Sequence, residues 1–116
     1  MSIQVVVELD ESGCLRKLDS RGHAIGVRND NVACAAVSVL VRTAARTIIA
    51  HGDFDLLGDA STAGLLRCEL AGKRELPEST RRWLRGVTEF LVTGLQDTAR
   101  DYPDDVRLEI NNETGG

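Results

Sequence analysis

The chain sets one of its two histidines, His23 of Gly22-His23-Ala24, eleven residues ahead of a cysteine, Cys34, that opens an apolar run. A thiol beside an imidazole is the minimal equipment for attack on a carbonyl. The imidazole takes the thiol proton, and the thiolate is the reactive form. Cys34 falls in the first turn of the helix that the run predicts, whichever of Asp30 or Asn31 caps it. Amides without acceptors and the positive end of the helix dipole favour a thiolate there. The loop between His23 and Cys34 is long enough to fold back, and Gly22 and Gly26 let backbone approach closely. The amides of Ala33 and Cys34 are the natural donors to an oxyanion. Ser38, one helical turn beyond Cys34, is placed to donate a hydrogen bond to His23 or to a bound peptide. The same spacing also suits a small buried thiol, a loop histidine and a serine bonded to its own helix, so spacing alone leaves both readings open. Cys14 and Cys68 fall in strand-like segments and read as structural, with burial expected above all for Cys68. His51 ends the helix, where a partial positive charge suits the dipole.

These residues need a scaffold, and the pattern supplies one. Ile3–Leu9 alternates loosely and is rich in valine, "DESG" is a turn, and Cys14–Asp19 is a second strand, together a hairpin. Helix one runs over Val32–Ala50. Its nearly unbroken Ala, Val, Leu and Ile predict burial on more than one face, with Arg42 and Arg46 on the wet side and Gly52 after its end. Phe54–Ala60 and Gly64–Leu70 read as strands. "LPEST" introduces helix two, capped by Ser79 or Thr80, with Trp83, Val87, Phe90, Leu91 and Leu95 at helical spacing. Val106–Ile110 closes the order as a strand. The expected fold is α+β: a two-layer sandwich of two helices on a mainly antiparallel or mixed sheet of about five strands. Residues 1–111 form one domain and 112–116 a frayed tail.

Composition narrows the function classes. A chain of 116 residues can bury a core without staples. With 42% apolar and 28% charged residues it is not of the disordered class. A net charge of −4 argues against a protein working through phosphate contacts, and Arg81, Arg82 and Arg85 read as the charged face of a helix, so no direct nucleic acid is expected. No apolar stretch of bilayer-spanning length is expected, hence no membrane. Three cysteines without a CxxC give no disulfide framework and fit a reduced cytoplasm. Two histidines offer few ligands, so neither metal nor cofactor is expected.

The wording of the motifs adds more than their spacing does. Gly22-His23-Ala24, then Val32 through Cys34-Ala35-Ala36-Val37-Ser38, then Leu40 and Thr43, closely resemble the ribosomal-processing cysteine protease (Prp) family. Further agreement lies in "GLLRCEL" at 64–70 and "FLVTGLQDTARDYPDDVRLE" at 90–109. The resemblance implies a cytoplasmic cysteine endopeptidase with Cys34 and His23 as its catalytic pair. It implies a homodimer of two-layer domains that removes a short N-terminal extension from a large-subunit ribosomal protein. Gly22, Ala24, Ala33, Ser38 and Asn31 would support the site. Asn31 stands where the family usually has an aspartate, and the loop from His23 to Cys34 is one residue shorter than is common. Asp19, Asp30, Asp53 and Asp55, near the site in sequence, suggest a basic peptide after the cut. Two other classes compete: a non-catalytic dimeric module for ribosome assembly, with an inert buried Cys34, and another thiol hydrolase such as a thioesterase.

Overall fold

The computed structural model describes residues 3–22, 32–59, 65–72 and 75–112. In chain order the elements are β1 (Ile3–Leu9), β2 (Leu15–Arg21), α1 (Val32–His51), β3 (Phe54–Asp59), β4 (Leu65–Gly72), α2 (Glu78–Asp101) and β5 (Val106–Asn112). The strands form one sheet in the order β3-β4-β2-β1-β5, with both helices on one face, the two-layer α+β architecture that the pattern predicts.

Strand alternation sets the two faces. Ile3, Val5 and Val7 of β1 and Leu18 and Ser20 of β2 are buried against the helices, while Gln4 and Arg21 are exposed on the other side. The hairpin turn is built by Asp10, whose carboxylate accepts from the Ser12 amide and hydroxyl and from the Cys14 amide at 2.7–3.0 Å. Gly13 takes φ +85° in this turn. Cys14 therefore belongs to the turn, and β2 starts one residue later than expected. The neighbours β1–β2, β2–β4 and β3–β4 are antiparallel, but β1 and β5 pair in parallel, from Ile3↔Val106 to Leu9↔Asn112. β5 thus includes Asn111 and Asn112, beyond its expected end, because each has a partner on β1.

The helices differ from expectation in three ways. α1 buries one stripe, Ala33, Val37, Val41, Ala44 and Ile48, instead of several faces. Val39 and Ile49 remain 64% and 51% exposed. By length and composition α1 is also apolar enough to cross a bilayer; here its buried stripe faces the protein and the exposed Arg42 and Arg46 interrupt its middle. α2 starts at Glu78, with Pro77 at the cap position and no side-chain cap. Proline's fixed φ of −61° pre-sets the turn, and Thr80, an expected cap, is buried instead. Phe90, read as part of the apolar face, is 76% exposed.

The two helices run antiparallel. Leu40 lies within contact of Gly94, where an added Cβ would meet its side chain at 2.8 Å, and the ring of His51 lies 4.4 Å from that of Trp83. A buried hydroxyl ties α2 to the sheet: Thr88 Oγ1 accepts from the Leu15 amide at 2.9 Å and donates to the Leu84 carbonyl at 2.8 Å. Thr88→Val keeps the shape but leaves the Leu15 amide without its acceptor. It should cost about 1–3 kcal/mol and lower Tm by several degrees, and Thr88→Ser should retain most of the wild-type stability, as read by thermal denaturation.

Candidate active site

Cys34 is the third residue of α1, in its first turn. The amides at this end precede the first intrahelical acceptors. The neighbouring Ala33 is fully buried and anchors this turn to the core. Cys34 itself is half-buried and packs against the core's edge. Ser38 follows one turn later and is exposed.

The pole of the molecule that carries Cys34 follows from the contacts. Cys14 donates from Sγ to the Arg81 carbonyl at 3.5 Å, so the start of β2 lies at the first turn of α2. The Ile3 amide donates to the Asp105 carbonyl at 2.7 Å, so the start of β1, and with it the end of its antiparallel partner β2, lies at the far end of α2. Because α1 opposes α2, its N-terminus lies at that same far end. The end of β2, Arg21 and Gly22, therefore shares a pole with Cys34. Gly22 leaves the strand with φ +97°, a left-handed conformation in which glycine escapes the Cβ penalty. His23, Ala24, the cap candidates Asp30 and Asn31, and the rest of 23–31 lie outside the described residues.

Of the acids expected beside the site, Asp30 lies outside the described residues, and Asp19, Asp53 and Asp55 do not gather around Cys34. Asp53 and Asp55 follow the other end of α1, and seventeen residues of helix separate Cys34 from His51, about 26 Å. Asp53 pairs with His51 Nδ1 at 3.5 Å. Asp19 sits on the sheet face away from the helices, bound by Arg21 at 2.7 Å and Arg67 at 3.4 Å, so its charge is already answered. Those hydrogen bonds and charges, Arg21's first, hold its carboxyl below the usual carboxylate range. Chain proximity misleads for Asp53 and Asp55 because the length of α1 carries them away from Cys34. Sequence reasoning also missed this three-residue cluster: Asp19 and Arg21 share a strand face at i, i+2, but Arg67 arrives from β4.

His51 packs its ring against those of Phe54 (5.8 Å) and Trp83 (4.4 Å), contacts that the reading of its place at the helix end does not include. Cys14 and Cys68 are equally buried, at 3% and 4% exposure. Among the described residues no group of His, Cys, Asp and Glu is arranged to hold a metal ion. A cavity of about 480 Å³ is lined by Cys14, Leu76, Arg81 and Arg85 at the opposite pole, away from Cys34.

A family model described as the cysteine protease Prp matches residues 2–107, nearly the whole chain. The chain belongs to the Prp cysteine protease family. Solved structures share the fold at low identity. The SMU.848 protein of Streptococcus mutans is 20% identical, with 97% of this chain and 96% of that one covered and a TM-score of 0.73. The Prp ribosomal processing protease of Staphylococcus aureus, in complex with a covalently linked product peptide, is 15% identical, with 94% and 99% covered and a TM-score of 0.74. The same S. aureus protease in complex with a substrate peptide gives 14% identity, the same coverage and a TM-score of 0.73. No curated protein matches the chain.

Within this Prp-family fold, burial sets the structural thiols apart. Burial, aided by the charge of Asp19, pushes the Cys68 thiol up to about 11. An unfolded thiol ionises near 9.0, so between about pH 9 and 11 the unfolded chain has lost a proton that the folded chain keeps. Stability from this group is complete below that window and is lost as pH rises through it. Thermal denaturation at about pH 8 and about pH 10 should show a smaller alkaline loss in Cys68→Ala than in the wild type.

Proposed function

We propose that the protein is a cysteine endopeptidase in which Cys34 is the nucleophile and His23 its base, acting on the N-terminal extension of a large-subunit ribosomal protein. The observation that carries this reading is the place of Cys34 in the first turn of α1, half-buried, in a chain of the Prp cysteine protease family whose other thiols are sealed in the core. The ribosomal substrate is supported by the fold shared with the S. aureus ribosomal processing protease, which has been captured with substrate and product peptides.

The reaction would run in two halves. His23 takes the proton of Cys34, and the thiolate attacks the scissile carbonyl to give a tetrahedral oxyanion facing the amides of Ala33 and Cys34. Collapse breaks the C–N bond, His23 gives its proton to the leaving amine, and a thioester remains on Cys34. Water, deprotonated by the same imidazole, then releases the acid and the thiol. Gly22 and Ala24 flank the imidazole in sequence, Ser38 lies one turn along α1 to meet peptide or base, and Asn31 precedes the helix.

Cys34→Ala and His23→Ala should each abolish cleavage of a peptide spanning such an extension, followed by mass spectrometry, while Cys14→Ser and Cys68→Ser retain it. Full cleavage by Cys34→Ala overturns the protease reading. Thioester turnover without peptide cleavage by the wild type supports the thioesterase instead. An inert Cys34 toward iodoacetamide supports the non-catalytic module.

We infer further that the chain works as a homodimer through its helix layer. A groove of about 720 Å³ runs between α1 and α2, lined by Val39, Leu40, Thr43, Trp83, Val87 and Phe90. Groove and projecting Phe90 lie on one surface, the self-complementary arrangement that a two-fold contact requires. In light scattering the wild type should have the mass of two chains and Phe90→Arg that of one, at unchanged helical content. A monomeric wild type overturns this inference.

A further inference from the structure

Three arginines surround one cavity without a hydrogen-bonded acceptor among the described residues. The cavity, about 480 Å³, opens at the pole opposite Cys34, between the β1–β2 turn and the first two turns of α2, and Arg81, Arg82 and Arg85 line it. Cys14 Sγ donates to the Arg81 carbonyl at 3.5 Å, and an added Cβ at Gly13 would stand 3.9 Å from Arg85 Nε, so turn and helix meet across it. Arg82 Nη2 stands 3.6 Å from Glu78 Oε1 and Arg85 Nε 3.7 Å from Glu89 Oε1, beyond hydrogen-bond range, and all four side chains are mostly exposed. Arg81 lies within reach of the charge of Asp10, but Asp10 Oδ1 already accepts from the Ser12 amide and hydroxyl and from the Cys14 amide at 2.7–3.0 Å. Other surface arginines are held more firmly, Arg21 by Asp19 at 2.7 Å and Arg100 by Asp97 at 2.6 Å.

Exposed i, i+4 pairs of such length contribute little, so an incoming anion displaces them at small cost. The lining sets three cations against the exposed Glu75 and Glu78, a local excess of positive charge in a chain of net charge −4. The first turn of α2 adds the same sign, because Pro77 offers no side-chain cap to the positive end of the helix dipole. Three guanidinium forks present more donors than the two oxygens of a carboxylate accept, whereas a phosphate monoester brings three terminal oxygens and a higher charge. The remaining wall is less polar: Leu76 packs against the core, and Cys14 is buried. A cavity of this size holds a molecule of nucleotide dimensions.

We propose that this cavity binds a small organic phosphate monoester, with the phosphate among Arg81, Arg82 and Arg85 and the organic part against Leu76 and Cys14. The site is separate from the pole of Cys34 and stands whether or not Cys34 is a nucleophile.

The test is titration with inorganic phosphate, adenosine, AMP and the dinucleotide ApA, followed by backbone amide shifts in proton–nitrogen correlation spectra. Phosphate and AMP should saturate, AMP the tighter, and should move the amides of Ser12, Cys14 and Arg81. Adenosine, which has no phosphate, should leave them in place, and ApA, whose phosphate is a diester, should bind at least about tenfold more weakly than AMP. Arg81→Gln and Arg85→Gln should each weaken AMP by about tenfold or more, and Arg81→Lys by less than Arg81→Gln. Arg21→Gln and Arg100→Gln, which remove cations outside the cavity, should leave the affinity unchanged at the same net charge. Saturating AMP should also raise Tm of the wild type more than that of Arg85→Gln. Failure of both phosphate and AMP to saturate overturns the proposal. So does equal binding of ApA, which would make the ligand a phosphodiester chain, and so does an equal loss in Arg21→Gln, which would reduce the effect to general charge attraction.

Discussion

The stripe Ala33, Val37, Val41, Ala44 and Ile48 presses α1 onto the sheet, and the position of Cys34 depends on that contact. Each of these side chains is small or β-branched, so the helix lies close to the strands and leaves little rotamer freedom at its base. Ala33 is the end of the stripe and is fully buried, one residue before Cys34. A helix start is where backbone donors are unsatisfied and where fraying begins; here the buried alanine holds that start in place. The chain thus sets a half-buried thiol beside a rigid anchor within two adjacent residues.

Much of this was legible in the sequence, and the reasons differ by element. β1 could be read because a valine-rich run alternates loosely and carries Gln4 and Glu8, and α1 because an apolar run followed by His51-Gly52 has few other structures open to it. Cys34 in a first turn and the Prp motifs around it were equally plain. The extent of burial was not. Phe90 has the spacing of core residues and Val39 stands in an apolar run, yet both project from the layer, since hydrophobic periodicity records that a face is apolar and not what covers it. The start of α2 misled for a local reason: "PEST" offers two good capping hydroxyls, but the fixed φ of Pro77 begins the helix before either can serve. The long-range relations, β5 beside β1 and Arg67 beside Asp19, have no signature in a single sequence because neither partner's neighbours refer to the other.

The two sides of the sheet divide the electrostatic labour. Toward the helices the strands offer Ile3, Val5, Val7, Leu18, Cys68 and Val106, and the buried hydroxyls of Thr88 and Thr98 on α2 bond to backbone. Toward solvent they offer a ladder of alternating charge, Glu69, Lys17 and Glu8 in one row and Arg67 with Asp19 in the next. A one-residue slip would break these opposite-charge pairs and turn the valines outward. Register, more than bond strength, is what the ladder supplies.

The parallel pairing of β1 with β5 governs when the fold can exist at all. Val106 must find Ile3 across more than a hundred residues, and the sheet has no complete β1 until it does. Loop closure over such a span is slow, and none of its cost is recovered until the last strand arrives. A chain still tethered to the machinery that makes it has its hairpin and first helix but lacks the strand that encloses the valines of β1. Assembly of the Cys34 pole is in this way deferred until β5 has been made. The thiol is carried by an early segment and brought to order by a late one, a delay written into the topology.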